Sequence, residues 1–309
     1  MLEIVVKTED GRRHVRVSAA ELTALVRRIG ADGDRFLVVQ RIPDLPDVFA
    51  QVWHESGGDH TLEYRDGSPG RHFQAQVADA AAVAGFLTDW ARGPAAAGPA
   101  ERVGASWSLL DMGPAAEVPE PELSDEDRRE LARRVREVLA GGYADRAQLA
   151  ELAEDYLVTA DRRPLSRAQA AALADRLWLE RVAEQASWRG ETDPEKLTRA
   201  FAALEEAGIT ARENFTCCRS CGEAEIGAEA RPGARGYVYF HTQCTDSAAA
   251  GQGLMLLYGG FDGSPATTAA VGAEVRAALT AAGLPTVWDR DPTRAIEVTP
   301  LDWRRRLVG

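Results

Sequence analysis

The hydrophobic and polar positions of the first 92 residues follow mainly the two-residue period of β-strands. LEIVVK and RRHVRV flank the turn TEDG and predict a β-hairpin. A capping box of Ser18 and Glu21 opens a helix that we expect to run to Ile29, and DAAAVAGFLTDWA predicts a second helix. Four further strands are predicted at RFLVVQ, VFAQVWHE, HTLEYRD and HFQAQV. We therefore predict a small α+β domain over residues 1–92.

Residues 93–122 interrupt this periodicity. The stretches GPAAAGPAE and GPAAEVPEPE are rich in Pro, Ala and Gly, which cannot sustain a regular helix or strand. Between them, SWSLLDM carries Trp107, Leu109 and Leu110, which predict a short apolar strap that docks onto a domain. We interpret residues 93–122 as a linker.

From residue 123 to residue 210 the apolar residues recur every three to four positions, as in helices packed on one face. Ser124 is placed to cap the first helix. Three more helices are predicted at DRAQLAELAEDYL, SRAQAAALADRLWLERVAEQASW and DPEKLTRAFAALEEAGI. A plain helical region is favoured over a helix-turn-helix, because no helix has the basic face that reads DNA bases.

Residues 211–309 return to mixed periodicity and predict a second α+β domain. TTAAVGAEVRAALTAAGL predicts a helix. Strands are predicted at NFTCC, GYVYFH, GLMLLYG, TVWD and AIEVTP. The expected fold class is therefore α+β: a small N-terminal α+β domain, a helical middle segment and a C-terminal α+β domain.

Charge and hydropathy narrow the function classes. The 309-residue chain has a net charge of −12 and a pI near 5.0, which disfavours general binding to nucleic acid or anionic membranes. No apolar run approaches the length of a membrane span, and the first residues lack the pattern of a signal peptide. We expect a cytoplasmic protein, and the abundance of Ala, Arg and Gly over Lys suggests a bacterial one.

All four cysteines lie between residues 217 and 244. Cys218 and Cys221 have the spacing of a zinc knuckle, and His241 and Cys244 supply a second pair with the same spacing. Together they read C-x2-C-x19-H-x2-C, which predicts that Cys218, Cys221, His241 and Cys244 bind Zn²⁺ and staple the C-terminal domain. Four protein ligands leave no open position, so the predicted role of the ion is structural.

Cys217 keeps alternatives open. It could replace Cys218 as a ligand through C-x3-C spacing, or remain a free thiol beside the metal. Adjacent cysteines next to Arg219 could instead form a redox or catalytic thiol site. The simplest alternative is that the cysteines are reduced core residues, since free cysteine behaves as a small hydrophobe.

Two other sets of residues, three histidines in the first domain and three arginines at the C-terminal end, are candidate binding residues. His54, His60 and His72, with Glu63 between them, could form a metal or acid/base site, although solvated histidines on a sheet face are the commoner case. The basic end DWRRRL places three arginines at 304–306, which could anchor the C-terminus, bind an acidic partner or bind a nucleic acid.

The C-terminal part resembles an uncharacterised bacterial family of unknown function. The resemblance covers about the last 120 residues, and FTCCRSCG, YFHTQ and DWRRRL carry it. It implies no activity. It also implies that the position of Cys244 is often acidic, so that a carboxylate would replace this ligand or the site would not bind metal. The first domain is faintly similar to small α+β domains of bacterial immunity proteins.

These observations favour a non-enzymatic, zinc-stabilised interaction protein of immunity or regulatory type, with another protein as its partner and no membrane contact. The alternative is a metal- or thiol-dependent enzyme with its site around Cys217, Cys218 and His241. A nucleic-acid binder that uses a zinc ribbon and the C-terminal arginines is the least favoured, because the chain is acidic. The sequence leaves a small-molecule ligand undefined.

Overall fold

Three hydrophobic cores organise the computed structural model, which describes residues 1–93, 106–113 and 117–308. One core belongs to the N-terminal sheet, one to the helical middle segment and one to the C-terminal sheet. Helices and mainly antiparallel sheets are both present, so the predicted α+β class is confirmed.

The N-terminal core lies between a sheet and two helices. The helices α1 (Ala19–Arg28) and α2 (Ala80–Arg92) pack on each other, and the predicted capping box at Ser18 is present. Alternation along the sheet buries Leu62 and Tyr64 in this core and turns Glu63 to the opposite face. The strands are β1 (Ile4–Thr8), β2 (Arg13–Val15), β3 (Phe36–Leu45), β4 (Val48–Trp53), β5 (His60–Asp66), β6 (His72–Val77) and β7 (Ser108–Leu109), antiparallel in the order β2-β1-β3-β4-β5-β6-β7.

The apolar strap expected within the linker contacts this core. The ring centroid of Trp107 lies 5.0 Å from those of Tyr64 and Phe86. Leu109 pairs with Phe73 in the short strand β7, and its side chain is exposed. Trp107 is therefore the residue that docks the strap. The rest of the predicted linker falls largely at positions 94–105 and 114–116, outside the described residues.

The helical segment is divided between two cores. Its helices are α3 (Asp125–Gly141), α4 (Arg146–Asp155), α5 (Arg167–Gln185) and α6 (Asp193–Glu206). The first three enclose the middle core, whereas α6 packs on the C-terminal sheet. Within the described ranges, no helix is both long enough and apolar enough to cross a membrane.

A buried polar contact joins the N-terminal sheet to the helices. Asp44, at the end of β3, is 4% exposed. Its Oδ2 atom forms an ion pair with Nε of Arg146 in α4, at a distance of 2.8 Å. Arg146 also pairs with Asp175 of α5 at 2.7 Å, and the indole of the buried Trp178 donates to the Asp44 carbonyl oxygen. These contacts fix the edge of the first domain against α4 and α5.

The C-terminal sheet has the order β11-β12-β10-β9-β8, with β8 and β9 parallel and the other pairs antiparallel. Helices α6 and α9 contact each other and contribute to its core. The elements are β8 (Ile209–Arg212), α7 (Arg219–Glu225), β9 (Gly236–Tyr239), α8 (Thr242–Ala249), β10 (Leu254–Gly260), α9 (Pro265–Ala281), β11 (Thr286–Val287) and β12 (Ile296–Val298).

The strand predicted at NFTCC was wrong. Asn214 and Thr216 have φ angles of 48° and 60°, in the left-handed region that a strand does not visit. The chain instead turns there and enters α7, so Cys218 and Cys221 lie at a helix start.

The C-terminal residues return to the helical segment. The indole of Trp303 donates to the Gly141 carbonyl oxygen at 3.2 Å, and Leu307 is buried in the middle core. The three neighbouring arginines are all ion-paired within the chain: Arg304 with Asp302, Arg305 with Glu213 and Arg306 with Glu195. The basic end therefore anchors the C-terminus on the protein itself.

Candidate metal centre

Three of the four cysteines meet at the start of α7. Cys218 is the capping residue, Cys221 lies in the first turn and Cys217 precedes the helix. Their Sγ atoms lie within 4.8 Å of one another, and those of Cys217 and Cys221 are 3.5 Å apart. Within residues 1–93, 106–113 and 117–308, this is the only set of three or more His, Cys, Asp or Glu side chains with ligand atoms so close.

The loop before the cysteines is held by the beginning of α8. The carbonyl oxygen of Thr216 accepts hydrogen bonds from the backbone N–H of Thr242 at 3.1 Å and from its hydroxyl at 2.9 Å. Phe215 donates its N–H to Phe240 at 2.8 Å. A β-branched residue rarely adopts a positive φ, so these contacts sustain an unfavourable backbone conformation at Thr216. They fix the direction in which the chain enters the cysteine cluster.

Gly222 allows α7 to lie directly on β9. It is buried against the aromatic ring of Tyr239, and a Cβ atom at this position would overlap that ring. The Tyr239 hydroxyl donates to the carbonyl oxygen of Arg219 at 3.3 Å. The glycine that follows Cys221 thus serves helix packing on the sheet, a role that the zinc-knuckle pattern does not reveal.

Neighbouring groups in the cluster shift the pKa values of Cys218 and Cys221 in opposite directions. The pKa of Cys218 is lowered, first by the backbone N–H of Cys221 and then by the thiols of Cys221 and Cys217. The pKa of Cys221 is raised to about 11 by its interactions with the side chains of Cys217 and Cys218. Cys218 therefore ionises more readily than Cys221. A bound cation would remove the repulsion that opposes a second and third thiolate.

The cluster can hold a metal ion. In tetrahedral zinc sites with Zn–S bonds of about 2.3 Å, neighbouring sulfurs are roughly 3.8 Å apart. The observed 3.5 Å between Cys217 and Cys221 matches this requirement. Cys217 is exposed and the other two are half-buried, so an ion can enter from solvent.

The second half of the predicted ligand set lies at the start of α8. The Sγ atom of Cys244 is 3.4 Å from Nε2 of His241, and the two residues are 7% and 8% exposed. Burial, and then the charge of Arg219, lower the pKa of His241, while burial raises that of Cys244. Cys244 also contributes to the C-terminal hydrophobic core.

The structure thus arranges the four predicted ligands as two pairs. Cys218 and Cys221 group with Cys217, and His241 and Cys244 contact each other outside that group. Joint ligation by all four residues stays a prediction. The sequence does contain a pattern that indicates the group of Cys217, Cys218 and Cys221. Because Cys217 and Cys218 are adjacent, a C-x3-C spacing and a C-x2-C spacing both end at Cys221.

The N-terminal histidines form two separate contacts. The rings of His54 and His60 stack with centroids 4.0 Å apart. His72 contacts Glu63 through Nε2 at 3.1 Å and Arg65 through Nδ1 at 3.1 Å. Because a guanidinium only donates, Nδ1 of His72 accepts and Nε2 carries the proton given to Glu63. These residues do not converge on one site.

Fold and site together define an α+β protein with a thiol-lined candidate metal centre in its C-terminal part. Residues 124–307 match the family DUF6891, described as a domain of unknown function. The match spans more than half of the chain, so the protein belongs to this family, and the predicted relationship to an uncharacterised family is confirmed. It includes the helical segment from α3 onwards as well as the C-terminal sheet. Neither a curated protein nor a solved structure matches the chain.

Proposed function

We propose that the C-terminal part binds one thiophilic metal ion, Zn²⁺ by preference, through Cys217, Cys218 and Cys221. The convergence of three Sγ atoms within 4.8 Å carries this proposal. His241 is the chain's own candidate for a fourth ligand. Its lowered pKa favours the neutral imidazole that metals require, and its neighbour Thr242 is hydrogen-bonded to the cysteine loop.

The ion would stabilise α7 and the loop before it. This helix has only seven residues, and all of them except Gly222 are exposed or half-buried, so the packing of Gly222 on Tyr239 is its main tertiary support. Metal ligation by Cys218 and Cys221 would tie the cap to the first turn. We propose a structural role for the ion, in a non-enzymatic protein that binds another protein.

A groove between α3 and α8 supports the interaction role. Its volume is about 460 Å³, and three alanines, two in the helices and one at the C-cap of α8, contribute apolar surface. Four arginines of α3 also line it, together with the carboxylates of Glu137 and Asp246. Arg133 and Arg134 pair with Glu137, and Arg136 pairs with Glu180. Apolar surface bordered by charges of both signs suits a segment of a partner protein that carries both apolar and charged side chains. The alanines are Ala140, Ala249 and Ala250, and the arginines are Arg129, Arg133, Arg134 and Arg136.

An enzyme that uses the same cysteines is the second candidate. A pocket of about 220 Å³ is lined by Arg219, the residue after Cys218, and by Tyr237 and Tyr239. A thiol of lowered pKa next to a polar pocket is a common arrangement for a nucleophile. Binding of nucleic acid is supported least, because the arginines at 304–306 are already ion-paired within the chain.

Metal analysis of the purified full-length chain tests the leading proposal. We expect about one zinc per chain, and competition with a chromophoric chelator gives its affinity. Replacing Cys217, Cys218 or Cys221 by Ser should weaken binding by roughly 100-fold or more, since even residues that only orient ligands contribute about 10- to 100-fold. Cys244→Ala is the matched control and should change affinity by less than about threefold.

The outcomes separate the possible ligand sets. Wild-type protein without metal after incubation with Zn²⁺ would refute the proposal. A loss in Cys244→Ala as large as in Cys218→Ser, with Cys217→Ser unchanged, would instead establish the ligand set predicted from spacing. The enzyme candidate requires one thiol of the metal-free protein to react with iodoacetamide near pH 7 much faster than the others.

A further inference from the structure

We propose that Cys217 and Cys221 form a reversible disulfide when the metal-free protein meets a peroxide, and that this disulfide and the metal exclude each other. The disulfide itself is inferred from the geometry of the thiols alone. The competition with metal rests on the proposed function.

The two sulfurs are already in van der Waals contact. Their separation of 3.5 Å must shorten by roughly 1.5 Å to form a disulfide. Cys217 is exposed and lies outside α7, so its side chain can move without disturbing the helix. A bond between Cys217 and its neighbour Cys218 would instead close a small ring through a planar trans peptide. Cys244 is buried in the C-terminal core and is not accessible to the oxidant.

The reaction has two steps, and exposure assigns the first to Cys217. Its thiolate attacks one oxygen of hydrogen peroxide, the O–O bond breaks, and the departing hydroxide takes up a proton to become water. Cys217 is then a sulfenic acid. The sulfur of Cys221 attacks the sulfur of Cys217, the S–O bond breaks, and the hydroxyl leaves as a second water with the proton of Cys221. The two thiols lose two electrons in total, and the peroxide is reduced to two waters.

The product has one thiol where the cluster had three. A disulfide sulfur carries no negative charge, so Cys218 would be the only remaining thiolate ligand. Oxidation should therefore release the ion, and a bound ion should slow oxidation. The cysteine cluster then has two stable forms, a metal–thiolate form and a disulfide form.

Peptide mapping of the full-length chain tests the pairing directly. Metal-free protein is treated with hydrogen peroxide, blocked with iodoacetamide and digested with trypsin. Cleavage after Arg219 separates Cys217 and Cys218 from Cys221. The disulfide therefore appears as peptide 213–219 joined to peptide 220–235, and dithiothreitol separates the two. We expect the joined peptides in wild type and in Cys218→Ser, and not in Cys217→Ser.

Two results would overturn the pairing: no joined peptides in wild type, or joined peptides that persist in Cys217→Ser and vanish in Cys218→Ser. The competition is measured separately, with zinc-loaded protein and a chromogenic zinc indicator. We expect about one zinc released for each disulfide formed, and rebinding after reduction. Joined peptides in a protein that never binds zinc would refute the proposed function and leave the disulfide standing. Zinc that stays bound after the disulfide forms would overturn the competition.

Discussion

The starts of α7 and α8 each carry two candidate metal ligands with the same spacing, but the two pairs differ in burial. Cys218 and Cys221 occupy the cap and the third helical position of α7, and His241 and Cys244 occupy the same two positions of α8. The first pair is half-buried and joined by the exposed Cys217. The second pair is 8% and 7% exposed, and Cys244 packs within the C-terminal core.

This difference shows what a spacing of three residues does and does not specify. Residues at the cap and third positions of a helix face each other, which is why capping boxes use them. The same geometry brings two metal ligands together. Spacing therefore predicts that the two side chains meet, as both pairs do here. Burial and a third neighbouring ligand decide whether they are also available to an ion.

The largest expected effect in this comparison comes from Gly222→Ala. The added Cβ would overlap the ring of Tyr239, which is fully buried and cannot move aside freely. We expect a loss of about 1 to 3 kcal/mol in the free energy of unfolding, the usual cost of overpacking. Urea-induced unfolding of the metal-free protein measures it.

Gly227→Ala is the matched control. Gly227 lies in the turn after α7, and a Cβ there would meet no atom within 4 Å. The control should leave the free energy of unfolding within about 0.5 kcal/mol of wild type. Equal stability of the two variants would mean that α7 is not held on β9 by close contact with Tyr239.

The sequence predicted elements well where one periodicity persisted over a whole segment. The strand at HTLEYRD and the capped helix after Ser18 both follow from local pattern, and both are present. It failed at NFTCC, where apolar and cysteine residues resemble a strand. The turn there depends on hydrogen bonds from Thr242 to the carbonyl oxygen of Thr216, 26 positions earlier, and no local pattern records such a contact.

The candidate site shows the same limit. Clustering of the cysteines in the sequence pointed to the right region, and Cys218 and Cys221 do meet. Grouping of His241 with Cys244 instead of with the cysteine loop depends on how α8 packs into the C-terminal core. The role of Gly222 likewise depends on Tyr239, which the chain brings back only after residues 226–235. The residue types in the sequence therefore indicate a thiol and imidazole site, whereas tertiary packing determines which of these side chains lie together.

A smaller change in the free energy of unfolding should distinguish Cys244→Ala from Cys221→Ala in the metal-free protein. Cys244→Ala leaves a small void in the core and removes the contact with His241, which should cost about 1 to 2 kcal/mol. Cys221→Ala removes a half-buried side chain and should change the free energy of unfolding by less than about 0.5 kcal/mol. Denaturant titrations under reducing conditions measure both, and a reversed order would contradict the assignment of Cys244 to the core.

The smallest expected effect is a pH dependence that arises from His241. Burial, and then Arg219, hold its pKa below the ordinary value, so the unfolded chain takes up the proton first as the pH falls. The free energy of unfolding of the metal-free protein should therefore decrease below about pH 6.5, the ordinary histidine pKa, and level off below the folded pKa. One such group contributes a slope of at most about 1.4 kcal/mol per pH unit.

Urea titrations between pH 7 and pH 5 should show a shallower decrease for His241→Asn. The decrease that remains is expected from other groups, including His60, whose pKa burial also lowers. An unchanged slope in His241→Asn would show that the start of α8 is as open to water and protons as that of α7.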